Sequence, residues 1–268
     1  MTFAINHICT PGLRLDGFFA MARRLGCDLV EIRNDIPDVI GSTSPQTVKA
    51  AAEAAGVTIL SINALYPFNV PSDDLAARAM RMADYAKACG ARALVMCPLN
   101  EGTPVPRADM VAALATLAPI LRDRGLTGLV EPLGFPVSSL RRKADAIAAI
   151  EAADGADVFR LVHDTFHHHL AGEAEIFPDR TGLVHISGVV DPDVAVDDMR
   201  DGHRVLVDAG DRLGNLDQIR ALREGGYEGP FSFEPFAQSF HDLSDPEAAL
   251  RDSIAFIAAG LGRAKAAE

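Results

Sequence analysis

An eightfold alternation of short β-type runs and longer helical stretches limits the folds open to this chain more than any other feature of its sequence. The β-type runs are rich in Val, Ile, Leu and Phe and lie near residues 3–8, 28–33, 57–63, 92–97, 126–131, 159–164, 182–187 and 230–235. Helical patterns lie near residues 16–25, 45–55, 72–89, 107–124, 139–153, 214–225 and 245–260, with a weaker helix expected over 167–177. Repeated strand–helix units predict a parallel sheet with right-handed crossovers.

The number of strand–helix units indicates whether the sheet is open or closed. Eight units in 268 residues fit an α/β fold of the closed (β/α)8 TIM barrel type, with its active site at the C-terminal mouth. A doubly wound open sheet is the alternative, but it calls for a glycine-rich phosphate loop, and neither G-x-G-x-x-G nor G-x-x-x-x-G-K-[ST] occurs here. Because no linker or low-complexity segment interrupts the pattern, we expect a single TIM-barrel domain over residues 1–268.

Local signals predict where several helices begin and end. Ser44 followed by Pro45 is typical of an N-cap with proline in the first turn, and Asn215 is expected to cap the seventh helix. Glycines that end helical stretches just before the next strand are expected to be C-terminal caps; they are Gly26, Gly56, Gly90 and Gly125.

Composition excludes several classes of partner. The net charge is −12 and the pI is near 5.1, which indicates an acidic solvated surface and argues against binding of nucleic acid. No apolar run approaches the roughly 20 residues of a membrane span, and the first residues lack the basic start and apolar core of a signal peptide. The four cysteines form no C-x-x-C pair, so we expect a reduced, cytoplasmic protein with no zinc knuckle.

Four consecutive strand-like runs end in a side chain that can bind a metal ion: Glu131, Asp164, His185 and Glu234. Both glutamates precede a proline, which cannot donate to a strand ladder and favours extended geometry in the residue before it. Each glutamate is therefore expected to end its strand. Taken singly, a Glu at a strand end is usually solvated or salt-bridged, and a His on a strand is usually a hydrogen-bonded core residue. Four such residues on four consecutive strands favour a common metal site.

In a barrel these strand ends meet at one mouth. Polar groups end nearly every strand there: His7, Glu31 with Arg33, Asn63, Cys97, Glu131, Asp164, His185 and Glu234. Three carboxylates in one pocket resist ionisation unless a cation compensates them. We therefore predict one divalent metal ion, and the mixed oxygen and nitrogen donors suit Mn, Zn or Mg.

A histidine run follows the sixth strand. His167 lies three residues after Asp164, close enough to lean over the same mouth, and we predict a catalytic role for it. The alternative is a His-rich loop with no role, in which His168 and His169 are merely exposed. His163 is expected to pack against the helix layer, because it alternates with Asp164 along the strand.

The residues at the strand ends resemble those of the xylose-isomerase-like TIM barrels, a superfamily of sugar isomerases and epimerases, and within it the 2-keto-myo-inositol isomerases (inosose isomerases) of bacterial inositol breakdown. The resemblance spans most of the chain, in the segments Val30–Arg33, Ser61–Leu65, Val130–Gly134, Leu161–His167, Val184–Ile186, His203–Val205 and Phe233–Phe236. It implies that Glu131, Asp164, His185 and Glu234 hold the metal. It further implies that His167 and Arg204 reach substrate oxygens with Glu31 nearby, and we expect Asn63 to bind substrate as well.

These residues suit proton transfer next to a carbonyl. A divalent cation stabilises the negative charge that develops when an α proton is removed, and Glu131 and Glu234 are our candidates for removing and returning that proton. The resemblance implies a keto-polyol or sugar as substrate, 2-keto-myo-inositol first. We expect a non-phosphorylated compound, because the segment after Glu234 has no glycine to let the backbone close on a phosphate.

Other functions remain open on the same scaffold. They are an inosose dehydratase-type lyase, a hydroxypyruvate isomerase or ketose 3-epimerase, and a non-catalytic sugar-binding barrel. A DNA-repair barrel of the endonuclease IV type needs several metals, more inward His and Asp residues to bind them, and a basic face. This chain has too few of each. The resemblance also implies a possible homo-oligomer, for which the sequence itself shows no interface.

Overall fold

The strands close into a barrel, as predicted. The computed structural model describes residues 1–37, 39 and 41–263; the end of the predicted domain, residues 264–268, lies outside them. Eight parallel strands pair in chain order, and β1 also pairs with β8. They are β1 (Phe3–Asn6), β2 (Leu29–Arg33), β3 (Thr58–Leu65), β4 (Ala93–Met96), β5 (Thr127–Val130), β6 (Phe159–Asp164), β7 (Thr181–Ile186) and β8 (Phe231–Phe233).

Helices connect the strands and cover the barrel. They are α1 (Leu15–Arg24), α2 (Pro45–Ala55), α3 (Leu75–Cys89), α4 (Arg107–Arg122), α5 (Lys143–Ala152), α6 (Thr165–Ala171), α7 (Asn215–Glu224), α8 (Gln238–His241) and α9 (Pro246–Arg263). Two differ clearly from prediction: α5 begins four residues later than expected, and α6 begins directly after β6. In the described part of the chain, no helix combines the length and apolar character that crossing a bilayer requires.

Most of the predicted caps are present. Ser44 accepts from the Thr47 backbone N–H at the start of α2, and Gly56 follows that helix with φ 71°, the left-handed conformation that glycine adopts readily. The prediction for Asn215 is wrong. Asn215 is buried as the first residue of α7, and its side-chain amide donates to the Ser187 carbonyl and to Asp211 instead of capping the helix.

An apolar layer fills the barrel beneath the mouth. Seven buried side chains from six strands form it: Ala4, Leu60, Ala93, Val95, Leu129, Val162 and Leu183. Since residues two apart share a strand face, the inward positions above Leu129, Val162 and Leu183 fall to Glu131, Asp164 and His185. The interior is therefore apolar below and polar at the C-terminal end, which is the asymmetry that the strand ends predicted.

Candidate metal centre

The four predicted metal ligands converge at the mouth. Glu131, Asp164, His185 and Glu234 are all buried, and one ligand atom from each lies within 4.8 Å of the others. Asp164 ends β6 and pairs in register with His185 on β7. Glu131 and Glu234 directly follow β5 and β8. Parallel pairing thus brings together side chains that lie as much as a hundred residues apart in the chain.

The spacing of the donor atoms fits one ion. His185 Nδ1 lies 3.0 Å from Glu131 Oε1, 3.1 Å from Glu234 Oε2 and 4.0 Å from Asp164 Oδ2. A tetrahedral zinc ion with bonds of about 2.1 Å separates its ligand atoms by about 3.4 Å. Three carboxylates and one imidazole are the donor set that suits zinc, manganese or magnesium, so these residues could hold a single divalent cation.

Positive charges balance the acidic cluster. Burial lowers the pKa of His185, but the charges of Glu234, Glu31 and Glu131 outweigh it and raise that pKa well above its usual value. For Glu234 the effects have the opposite sign. Burial raises the pKa of this carboxyl, but the charges and hydrogen bonds of its cationic neighbours, led by His185, lower it to about 2. A divalent cation among these carboxylates would supply the same compensation.

Arg204, predicted to reach substrate, contacts two of the four ligand residues. It is 1% exposed, and its Nη2 donates to Asp164 Oδ2 at 2.6 Å and to Glu234 Oε2 at 3.0 Å. Its Nε donates to Ser187 Oγ at 3.0 Å. These bonds hold the carboxylates in place; a contact between Arg204 and substrate stays a prediction.

Arg33 was expected among the polar groups of the mouth, but no role in the site was predicted for it. Its Nη1 donates to Glu234 Oε1 at 3.0 Å, and its Nε and Nη2 donate to Asp35 at 2.8 and 2.7 Å. The Phe236 ring lies against both guanidiniums, with its centroid 5.1 Å from Arg33 Cζ and 4.7 Å from Arg204 Cζ. The position of Arg33 two residues after Glu31 was the available signal, because alternation puts both on one strand face.

Glu31 and Asn63, both predicted to bind substrate, lie beneath the four predicted metal ligands, which together form the ligand layer. Glu31 is fully buried, and its two oxygens are 3.1 and 3.2 Å from His185 Nε2. Asn63 Nδ2 donates to Glu31 Oε2 at 2.9 Å and to Ser61 Oγ at 3.0 Å. Both side chains thus bond to other buried groups of the mouth, and their contact with substrate stays a prediction.

His167 sits on α6, next to the ligand layer. Asp164 Oδ1 accepts from the backbone N–H groups of Phe166 and His167 at 2.7 and 3.1 Å, so this predicted ligand also caps the start of the helix. The His167 ring packs edge-on against Phe135 and Phe166. Within the described residues its buried Nδ1 has no hydrogen-bond partner. A catalytic role for His167 stays a prediction.

The other histidines of this run lie outside the ligand cluster. His163 points to the helix layer as predicted, with Nε2 2.9 Å from Gln218 Oε1 on α7. His168 is only partly exposed, and its Nδ1 lies 2.7 Å from Lys143 Nζ. Cys97 does contact a predicted ligand, since its thiol donates to Glu131 Oε2 at 3.4 Å.

Comparison with known proteins identifies the family. Residues 19–260 match the xylose isomerase-like TIM barrel family. Inosose isomerase from Halalkalibacterium halodurans is 27% identical over 241 residues, which cover 83% of each protein. A solved xylose isomerase domain containing protein from Salmonella typhimurium LT2 is 37% identical, with a TM-score of 0.89 and coverage of 97% of this chain and 96% of its own. The IolI protein, solved with a zinc atom, is 21% identical, with a TM-score of 0.85 and coverage of 98% and 99%. Because the family match takes in nearly the whole chain, this protein belongs to the xylose isomerase-like TIM barrel family.

Proposed function

We propose that this protein is a divalent-metal-dependent isomerase or epimerase that transfers a proton α to the carbonyl of a non-phosphorylated keto-polyol or sugar. 2-Keto-myo-inositol (inosose) is the first candidate substrate. The observation that carries the proposal is the convergence of Glu131, Asp164, His185 and Glu234 within 4.8 Å at the barrel mouth. The likeness to an inosose isomerase and to a barrel solved with zinc supports both the substrate and the metal.

The chain's own residues supply the proton transfers. Glu131 and Glu234 reach the centre from β5 and β8, and we assign them the removal and return of the α proton. His167, beside the ligands on α6, is our candidate for moving a proton at a substrate oxygen. Stabilisation of the negative charge that develops on the substrate oxygens is the chemistry that a bound divalent cation supplies.

Solvent exchange tests this function directly. Incubation with 2-keto-myo-inositol and with ketoses in D₂O should place deuterium at the carbon next to the carbonyl, as followed by NMR, and a chelator should abolish the exchange. Added zinc, manganese or magnesium should restore it. Wild-type protein that exchanges no α proton of any of these substrates with any of the three metals would contradict the proposal.

Glu131→Gln and Glu234→Gln test the assignment of the two glutamates. Each amide cannot accept the α proton, so the exchange rate should fall by about 10²–10⁴-fold, while metal analysis should find an ion still bound. Full turnover in both variants would rule the assignment out.

The same incubation separates the alternatives. A lyase of the inosose dehydratase type would release a product lighter by one water, which mass spectrometry detects. A hydroxypyruvate isomerase or a ketose 3-epimerase would exchange the α proton of its own substrate and leave the inosose unchanged. A sugar-binding barrel would bind these compounds with no deuterium incorporated.

A further inference from the structure

A layer of buried polar side chains lies directly beneath the ligand cluster, with Glu31 at its centre. Glu31 is 0% exposed, and both its oxygens face His185 Nε2, at 3.1 and 3.2 Å. The other ring nitrogen, Nδ1, faces Glu131 and Glu234 at 3.0 and 3.1 Å. The imidazole therefore has one carboxylate behind it and the ligand carboxylates in front of it.

Hydrogen bonds from three other strands hold the Glu31 carboxylate. Ser232 Oγ on β8 donates to Oε1 at 2.5 Å, and Ser61 Oγ and Asn63 Nδ2 on β3 donate to Oε2 at 2.6 and 2.9 Å. Asn6 Nδ2 on β1 lies 3.4 Å from Oε1. These donors hold the Glu31 carboxylate in one orientation, with both oxygens towards His185 Nε2.

A carboxylate held in this way behind a ligand histidine determines which ring nitrogen carries the proton. Neutral imidazole has one N–H and one lone pair. With the N–H of Nε2 donated to Glu31, the lone pair is on Nδ1, which faces the other three ligands. Such a carboxylate also raises the basicity of a metal-bound histidine.

We propose that Glu31 is a positioning residue for the metal centre, which holds His185 with its Nε2–H on the Glu31 carboxylate and its Nδ1 towards the ion, and that it does not contact substrate. This inference rests on the proposed function, because it assigns Glu31 through the metal that His185 would bind.

Zinc affinity measured without substrate tests the proposal. Metal-free wild type, Glu31→Gln and Glu31→Asp are titrated with zinc against a competing chelator. We expect Glu31→Gln to bind zinc about 10–100-fold more weakly. Glu31→Asp keeps the charge but draws it back by one methylene, so it should bind more weakly than wild type and provides the measurement if Glu31→Gln fails to fold. Glu173→Gln is the matched control, because this poorly exposed carboxylate pairs with Lys143 at 2.9 Å and should leave zinc affinity unchanged.

The tautomer of His185 provides a readout that general loosening of the barrel does not produce. In protein loaded with ¹¹³Cd and labelled with ¹⁵N-histidine, one ring should show coupling between cadmium and Nδ1 together with a protonated, hydrogen-bonded Nε2. In Glu31→Gln this Nε2–H signal should shift upfield and exchange faster with solvent. Coupling through Nε2 in wild type would overturn the inference.

The outcomes separate this inference from the proposed function. Wild type that binds neither zinc nor cadmium overturns both. Wild type that binds zinc, with Glu31→Gln and Glu31→Asp at equal affinity, overturns the role of Glu31 alone. A substrate-dependent change in KM with unaltered zinc affinity in Glu31→Gln would assign Glu31 to substrate instead.

Discussion

Two arginines and a histidine hold the Glu234 carboxylate at the mouth. Arg33 donates to its Oε1 and Arg204 to its Oε2, each at 3.0 Å, and His185 Nδ1 lies 3.1 Å from the second oxygen. Both guanidiniums also contact the Phe236 ring. A carboxylate with two buried cationic donors stays ionised and keeps one orientation. Removing either arginine should therefore lower the unfolding free energy, because it leaves part of a buried negative charge without compensation.

Replacement of Arg204 by Met tests this balance. Asp164 and Glu234 would each lose a charged donor, so metal-free Arg204→Met should lose about 3 kcal/mol of unfolding free energy in urea. Zinc should recover part of the loss, because a divalent cation compensates the same carboxylates. Arg223→Met, at an exposed position on α7, should change stability by less than about 0.5 kcal/mol. Equal losses in the two variants would contradict the argument.

His168 should make stability depend on pH outside the ligand cluster. Burial, followed by the charge of Lys143, lowers its pKa from 6.5 to about 4. Between these pH values the unfolded chain binds more protons at this residue than the folded one, so stability falls as pH decreases from 6.5 towards 4. Urea unfolding of metal-free His168→Gln over this range should show a shallower fall than wild type. Parallel curves would show that His168 does not titrate in this way.

At the scale of elements, α6 links the metal centre to the loop after β5. A Cβ on Gly134 would lie 2.1 Å from the His167 carbonyl oxygen and 2.9 Å from the Ala171 nitrogen. Arg141 also ties the two elements, because its guanidinium donates to the carbonyls of Gly134 and Leu170. The position of His167 therefore depends on a backbone approach that only glycine permits.

Gly134→Ala should displace α6. We expect a loss of about 1–3 kcal/mol in unfolding free energy from overpacking, and a fall of up to about 10²-fold in the exchange rate because His167 moves. Gly12→Ala is the matched control, since its Cβ would meet nothing within 4 Å, and it should retain wild-type stability. If Gly134→Ala kept the wild-type unfolding free energy, the loop after β5 could shift without destabilising the protein, and the prediction would be wrong.

Element boundaries show where a local pattern is insufficient. The Ala-rich pattern predicts a helix from residue 139, but α5 begins at Lys143. The Ser139 N–H donates to the Leu99 carbonyl, and the Leu140 carbonyl accepts from the Leu133 N–H. One partner comes from the loop after β4 and the other from an earlier part of the same loop after β5, so helical periodicity does not reveal them. α6 begins earlier than predicted because the Asp164 side chain caps it.

At the scale of the whole molecule, we expect closure of the barrel to couple metal binding to folding. The four proposed ligands belong to strands β5 to β8 or follow them directly, so the unfolded chain holds no preformed site. Zinc at about 100 times its Kd should therefore raise the unfolding free energy by about 2.7 kcal/mol, and a chelator should reverse the gain. Thermal or urea unfolding measures it, with His185→Asn as the control that should respond much less. A wild type indifferent to zinc would contradict the coupling.

The sequence by itself determined the fold class and the four candidate ligands. Strand–helix alternation predicts parallel pairing, and the residues at the ends of parallel strands must meet at one mouth, so Glu131, Asp164, His185 and Glu234 could be grouped without coordinates. Only the tertiary structure decided how their neighbours act. Arg33 reaches Glu234 over 201 residues of separation and Glu31 reaches His185 over 154. Strand order and periodicity give the face on which a side chain lies, whereas its depth and its hydrogen-bond partner depend on the packing of the closed barrel.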